Sequence, residues 1–423
     1  MSSRSFTHIT LEFSLLFFIV SRPLFGSDFQ TVYDSAKKIR SVEIGERALE
    51  LAEIHGNEEQ LAKSHFLIAY YQDEKGMYYQ ALNHYFSALY NYQEARNYGR
   101  QIGTLMNIGA IYYVGGFYEK AIDFYKDARD MAKDMNDISR FRSIQYNIGQ
   151  ANRAMGNYEE ANNIYLRLLA QKNDIKNKSL LNDCYTELGL IAGTHLKEYE
   201  LAEDYFTHAV NIYSPADKDY VLAKVKSMNG IAYLQMMRGQ LDDAKQLFNE
   251  ALSLSTTNEF DKTALVDVYG NLGSLYEKID EPDSSILMYE KGLELEPLNK
   301  FDKKYIQTAN LLYKYHRAKS PERMDHYHDL IYQYGLEFAK LKAQLIQASH
   351  EYQIRAADYR RELDLRIARE KRMLWWDIFS YALTLIVIAS GISFYFMEKR
   401  KRRKRLRKAL DNARIIVPLP EKY

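Results

Sequence analysis

Three kinds of residue in this chain could carry chemistry, and none of them builds a catalytic centre. His316, His326 and His328 are the closest group of potential metal ligands. Two side chains two residues apart on a helix point to different faces, so His326 and His328 do not converge on one ion, and a solvated histidine surface is expected. The single cysteine, Cys184, lies four residues before Leu188 on an expected inner helix. It has no local base or cation pattern to hold a thiolate, so a small core residue is expected. The third group is the basic run Lys399, Arg400, Lys401, Arg402, Arg403, Lys404 and Arg405, continued by Arg407 and Lys408. Such a run contacts anionic lipid or nucleic acid, or simply holds the cytosolic end of a membrane span, and the last is the expectation. With no nucleophile, metal or phosphate signature elsewhere, the chain reads as neither an enzyme nor a cofactor or metal protein.

The elements that hold these groups follow from composition and pattern. Only 7 Pro and 20 Gly punctuate 423 residues, which points to an all-α chain, and the 36 Tyr imply a repeated demand for a large amphipathic ring. The formal net charge of +1 hides an asymmetry: residues 398–423 hold 11 Lys/Arg against 3 Asp/Glu, leaving 46 basic against 53 acidic residues in the body. An acidic body with one local basic block excludes a folded nucleic-acid-binding face, so no nucleic acid is expected as partner. One cysteine forms no intramolecular disulfide and leaves the redox compartment open.

Two apolar segments set an expected topology. Arg4, the run Leu15 to Val20, and then Pro23 to Ser27 resemble a secretory signal peptide (1–27) cleaved near Gly26 or Ser27; retained as an anchor, it would put the body on the same side. Residues 374–397 hold one acidic residue before the end of the apolar run, Asp377, and are long enough to cross a hydrocarbon core of about 30 Å. Trp375 and Trp376 at one edge and Tyr395 at the other suit the two membrane interfaces. The basic run follows at once, which argues against a buried core helix and places the C-terminus in the cytosol and the body outside it. Contact of residues 399–405 with membrane lipid follows from the same placement.

Between residues 60 and 300 one pattern recurs. In the clearest copy it reads Ile108, Gly109, Tyr112, Ala121, Tyr125, Ala128, with GGFYE between the halves. Within each half the spacing is helical, so a copy describes a helix, a tight turn and a second helix. Anchors at Ala69, Gly109, Gly149, Gly189, Gly230 and Gly273 recur every 40 to 43 residues, giving about six copies. A small anchor lets the two helices approach, and the aromatic fills the gap to the next hairpin, so no hairpin buries its face alone.

This stretch resembles the tetratricopeptide repeat (TPR) family, whose small-aromatic-small pattern it reproduces. It departs from that pattern in lacking the early tryptophan and in a period near 40 where the family commonly shows 34, which implies longer helices or loops. The resemblance implies an α-solenoid that binds a protein or peptide partner along its first helices, through side chains two before, one after and four after the anchor. On this chain those offsets select Asn107, Asn147 and Asn271, with Gln150 and Arg153 beside them. An amide both donates and accepts, so a ladder of amides suits a strand-like ligand.

Around the array, residues 28–59 read as N-terminal capping helices and 301–335 as a degenerate C-terminal repeat with a turn at Ser320 and Pro321. Residues 336–373 read as a coiled-coil-like helix: Phe338, Leu341, Leu345, Ala348 and Tyr352 alternate by three and four, and the stripe resumes at Tyr359, Leu363 and Ile367, which offers a homodimer seam. The whole resembles the extracytoplasmic sensor region of bacterial membrane-bound TPR signalling proteins. The expectation is a binding and relay module without catalysis of its own. The alternatives are a static envelope scaffold, or the sensor half of a histidine kinase, nucleotide cyclase or transcription regulator.

Overall fold

The computed structural model describes residues 28–255, 262–295, 303–319 and 321–414; the expected signal peptide lies outside them. Among the described residues there are α-helices, one 3-10 turn and one π turn, and no strand. They form two units, residues 1–349 and 350–423.

The first unit is a run of antiparallel hairpins. After α1 (Phe29–Ile39) and α2 (Val42–His55) come α3 (Glu58–Glu74) with α4 (Tyr78–Glu94), α5 (Tyr98–Val114) with α6 (Tyr118–Asp134), α7 (Ile138–Met155) with α8 (Tyr158–Leu169), and α9 (Lys178–Ile191) with α10 (Tyr199–Asn211). Then follow α11 (Tyr220–Met237) with α12 (Leu241–Ser255), α13 (Lys262–Lys278) with α14 (Pro282–Glu294), and α15 (Lys303–Lys319), after which α16 begins at Pro321. From α3 to α6 each helix has 17 residues, and three-residue turns join them. The long period therefore comes from longer helices, not longer loops.

Local chemistry sets each helix end. Asn57, Asn97, Asp137 and Asn177 stand at 40-residue intervals, and each side-chain oxygen accepts a hydrogen bond from the backbone N–H three residues on, closing the N-terminus of α3, α5, α7 and α9. The turns need a left-handed residue, supplied at 20-residue intervals by Gly76, Arg96, Gly116, Asn136 and Gly156. Glycine and asparagine adopt this conformation cheaply; Arg96 does not, at a cost of about 1–2 kcal/mol.

The anchors act as the residue types demand. A Cβ on Gly109 would stand 2.5 Å from the ring of Tyr125, one on Gly149 2.6 Å from Tyr165, and one on Gly189 2.9 Å from Phe206. Gly273 lies closer still to Tyr289. The fifth copy differs from the sequence reading. Gly230 faces Phe206 of the preceding hairpin, whereas Ala232 packs with Ala244 and Phe248 of its own. The true anchor of α11 is Ala232, which restores the 12-residue spacing to the second helix seen from Gly109 to Ala121. In the fourth copy the spacing from Gly189 to Ala202 is 13, and a π turn at Ala192–Leu196 takes up the extra residue.

Helix α16 is continuous from Pro321 to Arg414, so the expected boundaries at 335 and 373 do not end a helix. In the first unit Tyr327 packs with Tyr289 and Leu312. Leu341, Leu345, Ala348 and Ser349 are buried there too, so the first turns of the heptad stripe are covered by this chain's own array. In the second unit α16 contains the one helical stretch among the described residues long and apolar enough to cross a membrane. Its apolar side chains, with Trp375, Trp376 and Tyr395 at the ends, are exposed.

Candidate functional site

A groove of about 430 Å³ runs across four consecutive hairpins, lined by α7, α9, α11 and α13 with Phe206 of α10 at its floor. Counted from the packing anchors Gly149, Gly189, Ala232 and Gly273, its side chains fall into rows. Two residues before the anchors stand Asn147, Glu187, Gly230 and Asn271; three before stand Tyr146, Thr186, Asn229 and Gly270; six before stand Ser143, Asp183, Lys226 and Asp267. Because equivalent positions repeat once per hairpin, each row lines up along the array axis. Most members of these rows line the groove.

The expected site residues divide. Gln150 and Asn271 line this groove, and Nδ2 of Asn271 donates to Oδ1 of Asn229 at 3.0 Å across from α13 to α11. Gln150 donates to the hydroxyl of Tyr146 at 2.9 Å. Asn107 lies one hairpin earlier than the groove and donates to the hydroxyl of Tyr85 at 3.0 Å; Asn147 is half-buried on α7. In Asn107 and Asn271 the bond uses one of the amide's two N–H groups and leaves its acceptor capacity.

Arg153 is not part of the groove lining; its Nε lies 2.5 Å from Oε2 of Glu187, which is. Burial pushes the Glu187 carboxyl above the ordinary carboxylate range although Arg153 and Gln150 oppose this. Burial also raises Asp183, with the Lys226 ammonium and the Ser179 hydroxyl pulling the other way. The Tyr146 hydroxyl is raised by burial and then by the two carboxylates. The result is a polar floor of amides, three carboxylates and one lysine, set between aromatic rings. Glu187, Asp183, Lys226 and Asp267 were not in the sequence-derived set. The offset that selects Asn147 also selects Glu187, which carries a carboxylate where the other hairpins of the groove carry an amide or glycine.

The remaining candidates have other roles. Cys184 is fully buried and its thiol is pushed up by burial, which makes it a core residue. The solvated histidine surface holds for His326 and His328 but not for His316. His316 is 3% exposed, stacks on Tyr327 at 5.4 Å between ring centroids, and lies near Glu290. No group of three or more potential metal ligands occurs among the described residues.

A family model described as "Tetratricopeptide repeat" matches residues 143–174 and 266–297, the hairpins α7/α8 and α13/α14 at the two ends of the groove. These are tetratricopeptide repeats. Two solved TPR-like structures share the fold of the array. The apo form of the quorum sensor NprR from B. thuringiensis is 16% identical, with a TM-score of 0.52 over 78% of this chain and 94% of that one. The apo form of RapI is 14% identical, with a TM-score of 0.50 over 70% of this chain and 81% of that one. No curated protein matches the chain by sequence. The hairpins between the two matches, α9/α10 and α11/α12, carry the π turn and the displaced glycine; they have no family match, nor do α3/α4 and α5/α6.

Proposed function

We propose that the groove across α7, α9, α11 and α13 binds an extended peptide or protein segment, and that the chain is a membrane-anchored receptor that relays this binding without catalysis of its own. The observation that carries the reading is that four successive hairpins contribute to one groove: Gln150, Glu187, Asn229 and Asn271 each bring a hydrogen-bonding group to its lining. A strand-like ligand has backbone donors and acceptors along its whole length, which amides can meet in either sense. Asp183, Glu187 and Asp267 outnumber Lys226, so the groove favours a ligand with a cationic side chain or free amino terminus. The exposed apolar span, its aromatic ends and the basic run 399–408 support an anchor with the array outside the cytosol and the C-terminus within it.

The test is selection of random peptides on the full chain in lipid nanodiscs. Selected peptides are expected to bind the Gln150→Ala, Asn271→Ala double variant about tenfold more weakly, the effect of two lost hydrogen bonds at roughly 0.5–1.5 kcal/mol each. Asn107→Ala, outside the groove lining, is expected to change affinity little. Unaltered binding by the double variant, with its thermal melt intact, would reject the groove as the binding site.

A further inference from the structure

The stripe Phe338, Leu341, Leu345, Ala348 is built to pair with another helix, yet it lies against the α5/α6 turn of its own array. Leu345 is 0% exposed, Ala348 1% and Leu341 5%, in a helix whose other faces are open to solvent. The turn accepts Leu345 because residue 115 is glycine: a Cβ there would collide with Leu345 Cδ1. A Cβ on the next residue, Gly116, would stand 3.9 Å from Phe338 Cζ and from Lys342 Cε. Polar groups close the edges. The Lys120 ammonium donates to the Ser349 hydroxyl at 2.7 Å, and the Lys342 ammonium stands 4.9 Å from the Phe338 ring centroid and 6.0 Å from that of Phe117.

Two properties mark this contact as a mask. It is small in apolar area, with Leu341, Leu345 and Ala348 buried and Phe338 half-buried, which makes it reversible compared with the array core. The stripe also keeps a strict three-four alternation from Phe338 to Tyr352, a period of 3.5. The five positions from Phe338 to Tyr352 supply two heptads of a two-stranded seam. We propose that residues Phe338–Ser349 form a latch, docked in cis on the α5/α6 turn, whose release frees the stripe to pair with the same segment of a second copy of this chain. The latched state holds the chain as a single copy, and the released state is a dimer through Leu341, Leu345 and Ala348. This does not depend on what the groove binds.

The experiment uses the full chain in native membranes, with Cys184→Ala to remove the buried thiol and Tyr352→Cys as a reporter at the next stripe position. Disulfide-linked dimer is measured after mild oxidation. Gly115→Leu breaks the latch from the array side and leaves the stripe whole; it is expected to raise the linked fraction several-fold. Lys120→Ala, a milder change, is expected to raise it less. Adding Leu345→Glu to Gly115→Leu puts a charge in the seam and is expected to return the fraction to or below that of the parent. The proposal is overturned if neither array-side variant raises linkage in chains that keep the parent's thermal melt, or if the Leu345→Glu addition leaves the raised linkage intact.

Discussion

Tyr165→Ala is expected to destabilise the array by about 3–5 kcal/mol, seen as a lower denaturation midpoint by far-UV circular dichroism. Tyr165 is fully buried, with its ring against Gly149 and 5.7 Å from the ring of Tyr146 between centroids. Its removal opens a cavity between α7 and α8, in an array where each repeat depends on its neighbours for burial. Gly149→Ala is expected to cost about 1–3 kcal/mol, because the new Cβ would stand 2.6 Å from the Tyr165 ring. The two changes should not add. In the Tyr165→Ala chain the extra methyl enters vacated space, so the double variant is expected to be at least 1 kcal/mol better than the sum of its parts. Strict additivity would mean that the glycine is not there to admit the ring.

The same contact explains what was legible in the sequence. An anchor glycine followed after 12 residues by a small residue, alanine or serine, and after 16 by an aromatic is a steric statement, and it located the hairpins around Gly109, Gly149 and Gly273. Gly230 misled because it too faces a ring, but that of Phe206 in the hairpin before. The spacing back from Ala244 would have pointed to Ala232. The cap residues Asn57, Asn97, Asp137 and Asn177 carry a second register that is as regular, and reading it would have fixed the period at 40. The covering of Leu345 was not legible: periodicity shows that a face is apolar and says nothing of what lies on it. His316 is a similar case, since its burial comes from Tyr327 on the next helix. Of the residues selected from the sequence, Asn271 of the amide ladder and Gln150 beside it line the groove, while its charged residues emerge only when four hairpins are brought into one frame.

The charged pair at that groove gives the other large expected effect. Glu187 is held in a nearly dry site and Arg153 is its counter-charge, with the arginine side chain 32% exposed and the glutamate 9%. Arg153→Ala leaves a buried carboxylate without its cation, and a loss of about 3 kcal/mol is expected at neutral pH, the lower end for such a break because water reaches the guanidinium. The pH dependence has a definite sign. Glu187 already has a folded-state pKa above its unfolded value, so its contribution to stability is complete below the ordinary carboxylate range and is lost as pH rises through the folded pKa. Removing Arg153 raises that folded pKa further. The deficit of the variant relative to the parent should therefore be large at neutral pH and shrink on acidification, as the fold takes up a proton instead of burying a charge. Adding Glu187→Gln removes the charge and should recover most of the loss at neutral pH. Denaturation of the parent, Arg153→Ala and the double variant at mildly acidic and neutral pH decides the matter. A deficit that is the same at both would mean that Arg153 acts through packing of its aliphatic stem, and that Glu187 is solvated well enough to stand alone.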